Sequence, residues 1–427
     1  MASHQTHVDV LCFGCGCLCD DLRVTVDGES ALAEGLSCSL GREWLDRVAA
    51  WRPGPCVIEG REAPLAEAVA RAADLLSAAH APLVCGLAGA GTDAQRAAVG
   101  IADRLGGFVD WTTTPADAAA IESMQTVGAV GVSLGEIAQR ADLVVFWQCD
   151  PASTHPRHFE RYSLQPKSRW LPRGRADRKV VAVGDPASAT AAEADSVVEL
   201  PAGGAVDALV ALRAALAGVT LASDPPAPIA RLAEQIRDAS FAVFFYGDEL
   251  KRQGAAALTE LTLLAQSQQE TTRVVTAPLG GAGNAPGAKS VMTWQTGYPM
   301  AVSFASGSPE YGAPDFTAES LLARGEVDAV LVVSEDGMAG LSDAAIQAVS
   351  RVDSVVLSSA PVDGLGATVR FSTPPLGAAP GGAVFRSDHV ALPLHQPLVD
   401  AATTDAGVLA AIAARLAPAF SGLPAGP

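Results

Sequence analysis

The hydrophobic residues of this chain recur in short continuous runs, and each run is followed by a turn and then by a helical pattern. Asp142–Trp147 and Lys179–Val183 are typical, because each contains at least four consecutive apolar residues. A strand that is apolar on both sides is buried on both faces, as in a parallel sheet covered by helices. The other strands predicted in this way are Pro82–Leu87, Phe108–Trp111, Phe241–Tyr246, Arg273–Thr276, Ala329–Val333 and Ser354–Leu357.

Amphipathic helical patterns separate these strands, with predicted helices at about residues 63–79, 92–105, 229–239 and 253–266. Alternation of buried strands and helices predicts an α/β fold with two doubly wound parallel-sheet domains. A stretch rich in alanine, glycine and proline begins at Pro201. We therefore expect a first α/β domain at residues 56–205 and a second at 206–427, whose last segment returns to pack on the first.

The first 55 residues follow a different pattern. Leu22–Val26 alternates apolar and polar residues, as a half-buried strand does, and it lies among closely spaced cysteines. A segment of this size has little core of its own. We therefore predict a separate cysteine-rich module at residues 1–55 that depends on a metal, or on docking onto its neighbour, for stability.

Composition and charge narrow the classes of function. The chain has 427 residues, 49% of them hydrophobic, and a formal net charge of −18. Contacts to phosphate groups require a surplus of lysine and arginine, so nucleic acid and anionic membranes are poor partners for this chain. The sequence contains no continuous apolar run of 18 residues and no basic-then-apolar signal pattern at its start, so we expect a cytoplasmic protein with reduced cysteines.

Five of the eight cysteines lie between residues 12 and 38, and four of them follow the spacing C-x2-C-x3-C-x18-C. Such spacing lets thiolates converge, and we expect Gly14 and Gly16 to supply the tight turns between them. We expect these cysteines to bind a [4Fe-4S] cluster. Zinc, or a group of thiols without metal, are the alternatives that the spacing leaves open. The candidate ligands are Cys12, Cys15, Cys19 and Cys38.

Two loops carry further candidate binding residues. His155, Arg157 and His158 follow the strand that ends at Trp147, and ligands of doubly wound sheets bind at such loops. These side chains suit an anionic or pterin-like partner, although capping and interface roles are equally consistent with their position. Gly281 and Gly283 allow close backbone approach to a ligand, or tight packing between domains. Neither glycine-rich turn of the chain matches the dinucleotide fingerprint, so nucleotide binding has little support.

Several segments together resemble a known family. They are Cys12–Asp21 with Cys38, Leu134–Glu136 with Ala141–Leu143, His155–His158 with Arg161–Ser163, Thr293–Pro299, Tyr311, and Val384–Arg386. These segments resemble the B-type subunit of formylmethanofuran dehydrogenase. That family is itself similar to the large subunits of molybdopterin-dependent formate dehydrogenases, and the resemblance extends over nearly the whole chain.

The resemblance implies roles for individual residues. In the family the N-terminal cysteines hold a [4Fe-4S] cluster, a role that passes here to Cys12, Cys15, Cys19 and Cys38 and leaves Cys17 as an extra thiol. The molybdenum or tungsten ion is bound by a cysteine or selenocysteine in a loop after a Thr-Thr pair. Alignment of this loop on Ile121 and Gln125 places Ala116 in the ligand position.

An alanine methyl group cannot bind a metal, and the neighbouring Asp117 would be a hard oxygen ligand where the chemistry uses sulfur or selenium. The resemblance therefore implies that molybdopterin and its metal are absent. His155, Arg157, His158, Gly281 and Gly283 would then be remnants of a pterin site.

A related bacterial assembly accounts for such a loss. The formyltransferase/hydrolase complex resembles the dehydrogenase in several subunits, but it transfers a formyl group between tetrahydromethanopterin and a methanofuran-like carrier and releases formate. The chain is thus expected to be the non-catalytic B-type subunit of such a complex in the oxidation of formaldehyde to formate, with the other subunits as partners. The alternative is an active molybdenum or tungsten dehydrogenase subunit in which Asp117 or a distant thiol binds the metal.

Overall fold

The N-terminal residues form a small antiparallel sheet followed by one helix. The computed structural model of the protein describes residues 5–27, 30–34, 36–201, 203–219, 225–360, 366–395 and 397–416. In the N-terminal sheet the second strand pairs with both of the others, and its Leu22 and Val24 are buried as the alternating pattern predicts. The elements are β1 (Gln5–Val10), β2 (Leu22–Asp27), β3 (Ser30–Glu34) and α1 (Ser39–Ala50).

A nine-stranded mixed sheet forms the larger α/β unit. Its strands are β4 (Cys56–Ile58), β5 (Arg61–Ala63), β6 (Pro82–Cys85), β7 (Phe108–Val109), β13 (Val302–Ser303), β14 (Glu310–Tyr311), β15 (Ala329–Val332), β16 (Asp353–Ser358) and β17 (Val369–Ser372). They lie in the order β14-β13-β7-β6-β15-β16-β17-β4-β5. The five central strands are parallel, and antiparallel strands complete both edges.

Six helices belong to this unit: α2 (Leu65–Ala78), α3 (Thr92–Leu105), α12 (Ala285–Thr296), α13 (Ala318–Arg324), α14 (Asp343–Val349) and α15 (Asp405–Ala413). The C-terminal helix α15 packs on α2 and α3, so the last segment lies against the first α/β segment of the chain. A hairpin of β18 (Gly382–Phe385) and β19 (Ala391–Leu394) packs on α3 and α12. The part of the predicted second domain at residues 417–427 lies outside the described residues.

A second sheet of five strands is entirely parallel, as the buried runs predict. Its strands are β8 (Leu143–Trp147), β9 (Lys179–Gly184), β10 (Ser196–Glu199), β11 (Phe241–Tyr246) and β12 (Arg273–Pro278), in the order β10-β9-β8-β11-β12. The helices of this part of the chain are α4 (Pro115–Val127), α5 (Leu134–Arg140), α6 (Pro151–Thr154), α7 (Ala189–Ala192), α8 (Ala205–Ala217), α9 (Ala227–Asp238), α10 (Asp248–Lys251) and α11 (Ala255–Ser267).

Both sheets take strands from both sides of residue 205. The chain leaves the nine-stranded sheet after β7, builds the five-stranded sheet from β8 to β12, and returns at β13. The division of the chain at residue 205 therefore differs from the observed arrangement, in which the five-stranded unit is an insertion. The physical reason is that buried parallel strands share one composition, so their sequences do not reveal which sheet each of them joins.

The N-terminal module shares a hydrophobic core with the five-stranded sheet. Cys12, Cys38 and Trp44 from the module belong to the same buried cluster as Phe146 and Phe245 from β8 and β11. This packing supplies the neighbour on which a module of its size depends. No helix among the described residues is long and apolar enough to cross a membrane.

Candidate cysteine centre

The loop between β1 and β2 folds back on itself and gathers four cysteines. The backbone N–H of Cys12 donates to the carbonyl of Cys19 at 2.9 Å, and the N–H of Leu18 donates to the carbonyl of Cys15 at 3.2 Å. Cys12, Cys15, Cys17 and Cys19 are all buried. The fifth thiol, Cys38, is the N-cap of α1, and its sulfur accepts a hydrogen bond from the N–H of Gly41 at 3.3 Å.

Close packing is the main requirement for glycine at this centre. Gly14 and Gly16 lie in the bend and turn of the cysteine loop, as expected, but neither has a positive φ. A Cβ atom on Gly14 would lie 2.5 Å from the backbone N of Gly41, and one on Gly16 would lie 2.3 Å from the carbonyl oxygen of Gly280. A Cβ on Gly41 would lie 2.9 Å from the sulfur of Cys12, so this sulfur packs directly on the glycine.

Burial and neighbouring groups set the protonation of these thiols. Burial raises the pKa of Cys12 to about 11 and that of Cys19 to about 12, although the charge of Arg161 partly opposes the shift at Cys19. The thiol of Cys17 donates a hydrogen bond to Cys15, which lowers the pKa of Cys15 to about 7 and raises that of Cys17. Cys17 therefore contacts Cys15, one of the four predicted ligands, and its place as an extra thiol stays a prediction.

The donor types of the centre match an iron–sulfur cluster, since its thiols are buried and the charges of Arg157 and Arg161 partly oppose the rise that burial causes in the pKa of Cys19. The positions of the sulfur atoms do not give the same support. Among the described residues, no group of three or more His, Cys, Asp or Glu side chains is placed to hold a metal ion. The residues thus match a cluster site in type and burial, and the assignment of Cys12, Cys15, Cys19 and Cys38 as its ligands stays a prediction.

The candidate loop after β8 holds the cysteine module through ion pairs. Arg157, whose side chain is only 7% exposed, donates to both carboxylate oxygens of Asp21 at 2.8 and 2.7 Å and to Glu160 at 3.1 Å. Arg161 pairs with Asp20 at 2.6 Å and with Asp21. Burial raises the pKa of Asp21, but the hydrogen bond from Arg157 and the charge of Arg161 lower it overall.

The two candidate histidines also contact protein groups. Nε2 of His155 lies 2.8 Å from the carbonyl oxygen of Gly280, so this nitrogen carries the proton and donates. His158 is fully buried, its Nδ1 lies 2.9 Å from the hydroxyl of Ser163, and Phe245 packs edge-on to its ring at 4.6 Å. Burial lowers the pKa of His158 to about 3, so the ring is neutral.

An aromatic and charged group beside the module was not predicted from the sequence. The ring of Tyr162 lies near two guanidinium groups, with Arg161 at 5.5 Å and Arg386 at 5.4 Å from its centroid. Arg386 is held by Asp388, which accepts two hydrogen bonds of 2.8 Å. The sequence does carry a signal for the neighbouring ion pairs. Asp20 and Asp21 directly follow Cys19, and Arg157 and Arg161 are spaced four residues apart after β8.

The glycine loop after β12 approaches other backbone segments of the chain. Gly283 has φ +98 and would place a Cβ 2.8 Å from the carbonyl of Ala88, whereas a Cβ on Gly281 would meet nothing within 4 Å. The next residue, Asn284, is buried and joins three segments: its N–H donates to Ala88 at 2.6 Å, its side-chain amide donates to Ala90, and its side-chain oxygen accepts from the N–H of Phe385. Gly283 thus packs against another backbone segment, whereas Gly281 is exposed, and the ligand-binding role of both glycines stays a prediction.

Ala116 lies in the first turn of α4, where it offers only a methyl group. Thr114 caps this helix: its hydroxyl accepts from the N–H of Asp117 at 3.2 Å and donates to the Asp117 carboxylate at 2.6 Å. The other carboxylate oxygen of Asp117 lies 3.8 Å from Nζ of Lys251. Asp117 is therefore engaged as a capping and ion-pairing residue.

The chain is similar in sequence to subunits of two enzymes of one-carbon metabolism. The B-type subunit of a tungsten-containing formylmethanofuran dehydrogenase from Methanocaldococcus jannaschii is 29% identical over 363 residues, which cover 82% of this chain and 83% of that protein. The B-type subunit of the formyltransferase/hydrolase complex Fhc from Methylorubrum extorquens is 29% identical over 289 residues, or 66% of this chain and 74% of that protein. No protein-family model matches the chain.

Solved structures agree with these similarities at the level of the fold. The crystal structure of the FhcABCD formyltransferase/hydrolase complex from Methylorubrum extorquens, determined with methylofuran, contains a chain that matches with a TM-score of 0.71 and 25% identity, over 84% of this chain and 98% of that one. Acetylene hydratase from Pelobacter acetylenicus matches with a TM-score of 0.64 over 96% of this chain and 69% of that one. At 11% identity, the hydratase supports the fold alone.

Proposed function

We propose that this chain, a homologue of the B-type subunits of formylmethanofuran dehydrogenase and of Fhc, is the corresponding subunit of a formyltransferase/hydrolase complex in one-carbon oxidation. Its partners are then the other subunits of that complex. The match to a chain of FhcABCD, which covers 98% of that chain, supports this assignment.

In this proposal the chain has no redox chemistry of its own. The observation that carries this point is the residue at the expected metal-ligand position, where Ala116 offers only a methyl group and Asp117 is held by Thr114 and Lys251. A metal that prefers sulfur or selenium has no donor at that position.

The contacts of the predicted pterin residues support the same conclusion. Arg157 is paired with Asp21, His155 donates to Gly280, and His158 is neutral and enclosed by aromatic rings. Each of these groups has an intramolecular partner, although among the described residues Nε of Arg157 and Nε2 of His158 are buried without a hydrogen bond. A pterin that used the bonded atoms would have to break those contacts. The site is therefore vestigial, and its residues now stabilise the junction between the cysteine module and the five-stranded sheet.

One observation favours a second candidate function. The match to the tungsten-containing dehydrogenase subunit covers 82% of this chain, against 66% for its counterpart in Fhc. The alternative is an active molybdenum or tungsten formylmethanofuran dehydrogenase subunit, which requires a metal ligand other than residue 116. The two candidates differ in metal content and in redox activity, so they can be separated directly.

The test is anaerobic purification of the complex from its source through a tag on this chain, followed by analysis for Fe, Zn, Mo and W and a visible spectrum. We expect formyl transfer and hydrolysis without Mo or W. Stoichiometric Mo or W together with formate-linked dye reduction would overturn the proposal in favour of the dehydrogenase. Iron at about four atoms per chain would indicate a retained cluster at the cysteine centre. Zinc would indicate a zinc site there, and the absence of metal would indicate a group of free thiols.

A further inference from the structure

The amino-terminal edge of the five-stranded sheet is rich in positive charge. Lys179 is the first residue of β9 and pairs with Leu143, the first residue of β8, while Arg273 is the first residue of β12 and pairs with Phe241. Parallel strands begin at the same edge of the sheet, where β8 and β11 separate these two basic residues. The residues that we call the basic edge are Lys179 and Arg273, with Arg140, which approaches the ring of Phe241, and Lys167 and Arg169, which precede the exposed Trp170.

An exposed aromatic residue lies within this basic edge. The indole of Trp170 is 56% exposed, and the guanidinium carbons of Arg140 and Arg169 lie 5.6 and 4.7 Å from its ring centroid. Arg140 also lies 5.7 Å from the ring of Phe241, and Arg273 lies 5.6 Å from the same ring on the sheet edge. These cation–π contacts fix the orientation of Trp170 and of both flanking arginines.

The carboxylates near the basic edge are largely engaged elsewhere: Asp142 accepts from backbone N–H groups, and Asp177 and Asp195 pair with Arg173 and Arg175. Glu136 lies 3.6 Å from Arg140 and 3.7 Å from Arg273, and both arginine side chains are 48% exposed. Within the described ranges, Lys167, Arg169 and Lys179 form no ion pair and are exposed. This local surplus contrasts with the formal net charge of −18 for the whole chain.

We propose that the basic edge, anchored by Trp170, is the docking surface for an acidic face of another subunit of the complex. Tryptophan and arginine are the residues most often found at the energetic centres of interfaces, and opposite charge selects and orients the partner. The occupant is a protein, because an exposed indole flanked by arginines is typical of the centres of protein interfaces and the proposed function supplies partner subunits. This inference rests on the proposed function, which supplies the partner subunits.

The test compares complexes purified with Trp170→Ala, with the charge reversal Arg169→Glu, and with wild-type chain. Native mass spectrometry gives the subunit composition, and dilution at increasing salt gives the dissociation constant. We expect Trp170→Ala to weaken assembly about 30-fold. The reversal should weaken it at low salt by about 10-fold, with a smaller effect when ~1 M salt screens the charges.

Two control variants separate docking from folding. Trp294→Ala removes another exposed indole, which is 62% exposed on α12, and Arg351→Glu reverses an exposed arginine after α14. Both controls should assemble as wild type does. All four variants should retain the melting temperature of the full-length chain, because each altered side chain is exposed.

The outcomes are distinguishable. If wild-type chain purifies without partner subunits, the proposed function and this inference fall together. If Trp170→Ala and Arg169→Glu assemble as tightly as wild type, only this inference is overturned. It is likewise overturned if the variants lose only self-association, or only binding of an RNA oligonucleotide, since the occupant would then be a second copy or a nucleic acid.

Discussion

The cysteine centre and the first turn of α4 differ in the donor atoms that they offer to a metal, although the resemblance to a redox family links both to electron transfer. At the centre all four predicted thiols are present and buried, beside two guanidinium groups. In α4 the position expected to bind the metal is occupied by Ala116, which is only half-buried. One region keeps the predicted donor atoms, and the other has a methyl group where the resemblance predicts a donor.

Packing explains why these regions can differ. The cysteines belong to the hydrophobic cluster that joins the module to the five-stranded sheet, so loss of a sulfur would leave a void in that core even if no metal were bound. A half-buried position in the first turn of a helix accepts alanine without such a void. The presence of the four thiols is therefore weaker evidence for a metal than the lack of a ligand at residue 116 is against one.

The largest effect is expected at the ion pairs that attach the module. Asp21→Ala removes the bidentate partner of Arg157, whose side chain is 7% exposed, and a partner of Arg161. Arg157 keeps Glu160 and Arg161 keeps Asp20, but the bidentate partner of a buried guanidinium is lost. The free energy of unfolding should therefore fall by about 3 kcal/mol, the low end of the range for a broken buried pair, because these partners remain and Asp21 is 39% exposed. Urea unfolding measures this. Asp46→Ala, at an exposed carboxylate on α1, is the control and should change the value by less than ~0.5 kcal/mol.

A smaller effect is expected where the module meets the glycine loop. Gly16→Ala would place a Cβ 2.3 Å from the carbonyl oxygen of Gly280, and the backbone must shift to accept it. We expect a loss of about 2 kcal/mol in the free energy of unfolding. The matched change Gly281→Ala, in the same loop with nothing within 4 Å, should be neutral. Equal losses at both positions would contradict the packing role assigned to Gly16.

Acid should destabilise the protein through His158. Its pKa is about 3 in the fold and about 6.5 in the unfolded chain, so the unfolded state takes up a proton first as the pH falls. The stabilisation is present above pH ~6.5 and is lost progressively below it, by roughly 1 kcal/mol for each pH unit. Unfolding titrations of His158→Phe should lack this loss, whereas His80→Gln, at an exposed histidine, should retain it. An unchanged pH dependence in His158→Phe would show that the ring is not held neutral.

The smallest effect is expected at the position that lost its ligand. Ala116→Cys restores the sulfur, yet the residues around the predicted pterin site remain bound to one another. We expect no formate-linked dye reduction and a change in the free energy of unfolding below ~0.5 kcal/mol. Dye reduction gained from this single change would reveal an otherwise intact pterin site and would remove the contrast between the two regions.

Local patterns in the chain were enough to predict most of the buried parallel strands and the chemical types of the candidate residues. Phe241–Tyr246 was predicted as a strand and is one with the same bounds, because a continuous apolar run has few alternatives to a buried parallel strand. The thiol spacing and the alanine at residue 116 are likewise properties of the chain alone. They indicated the family resemblance and the missing ligand before any fold was known.

Which elements and side chains meet became known only from the folded arrangement. The order β10-β9-β8-β11-β12 joins strands from both sides of residue 205, and strand composition carries no record of sheet order. The pairing of Arg157 with Asp21 spans 136 residues, and the packing of Gly16 against Gly280 spans a still longer stretch of chain. Such contacts depend on how the two sheets and the module are arranged in space, so periodicity and spacing, which are local, could not specify them.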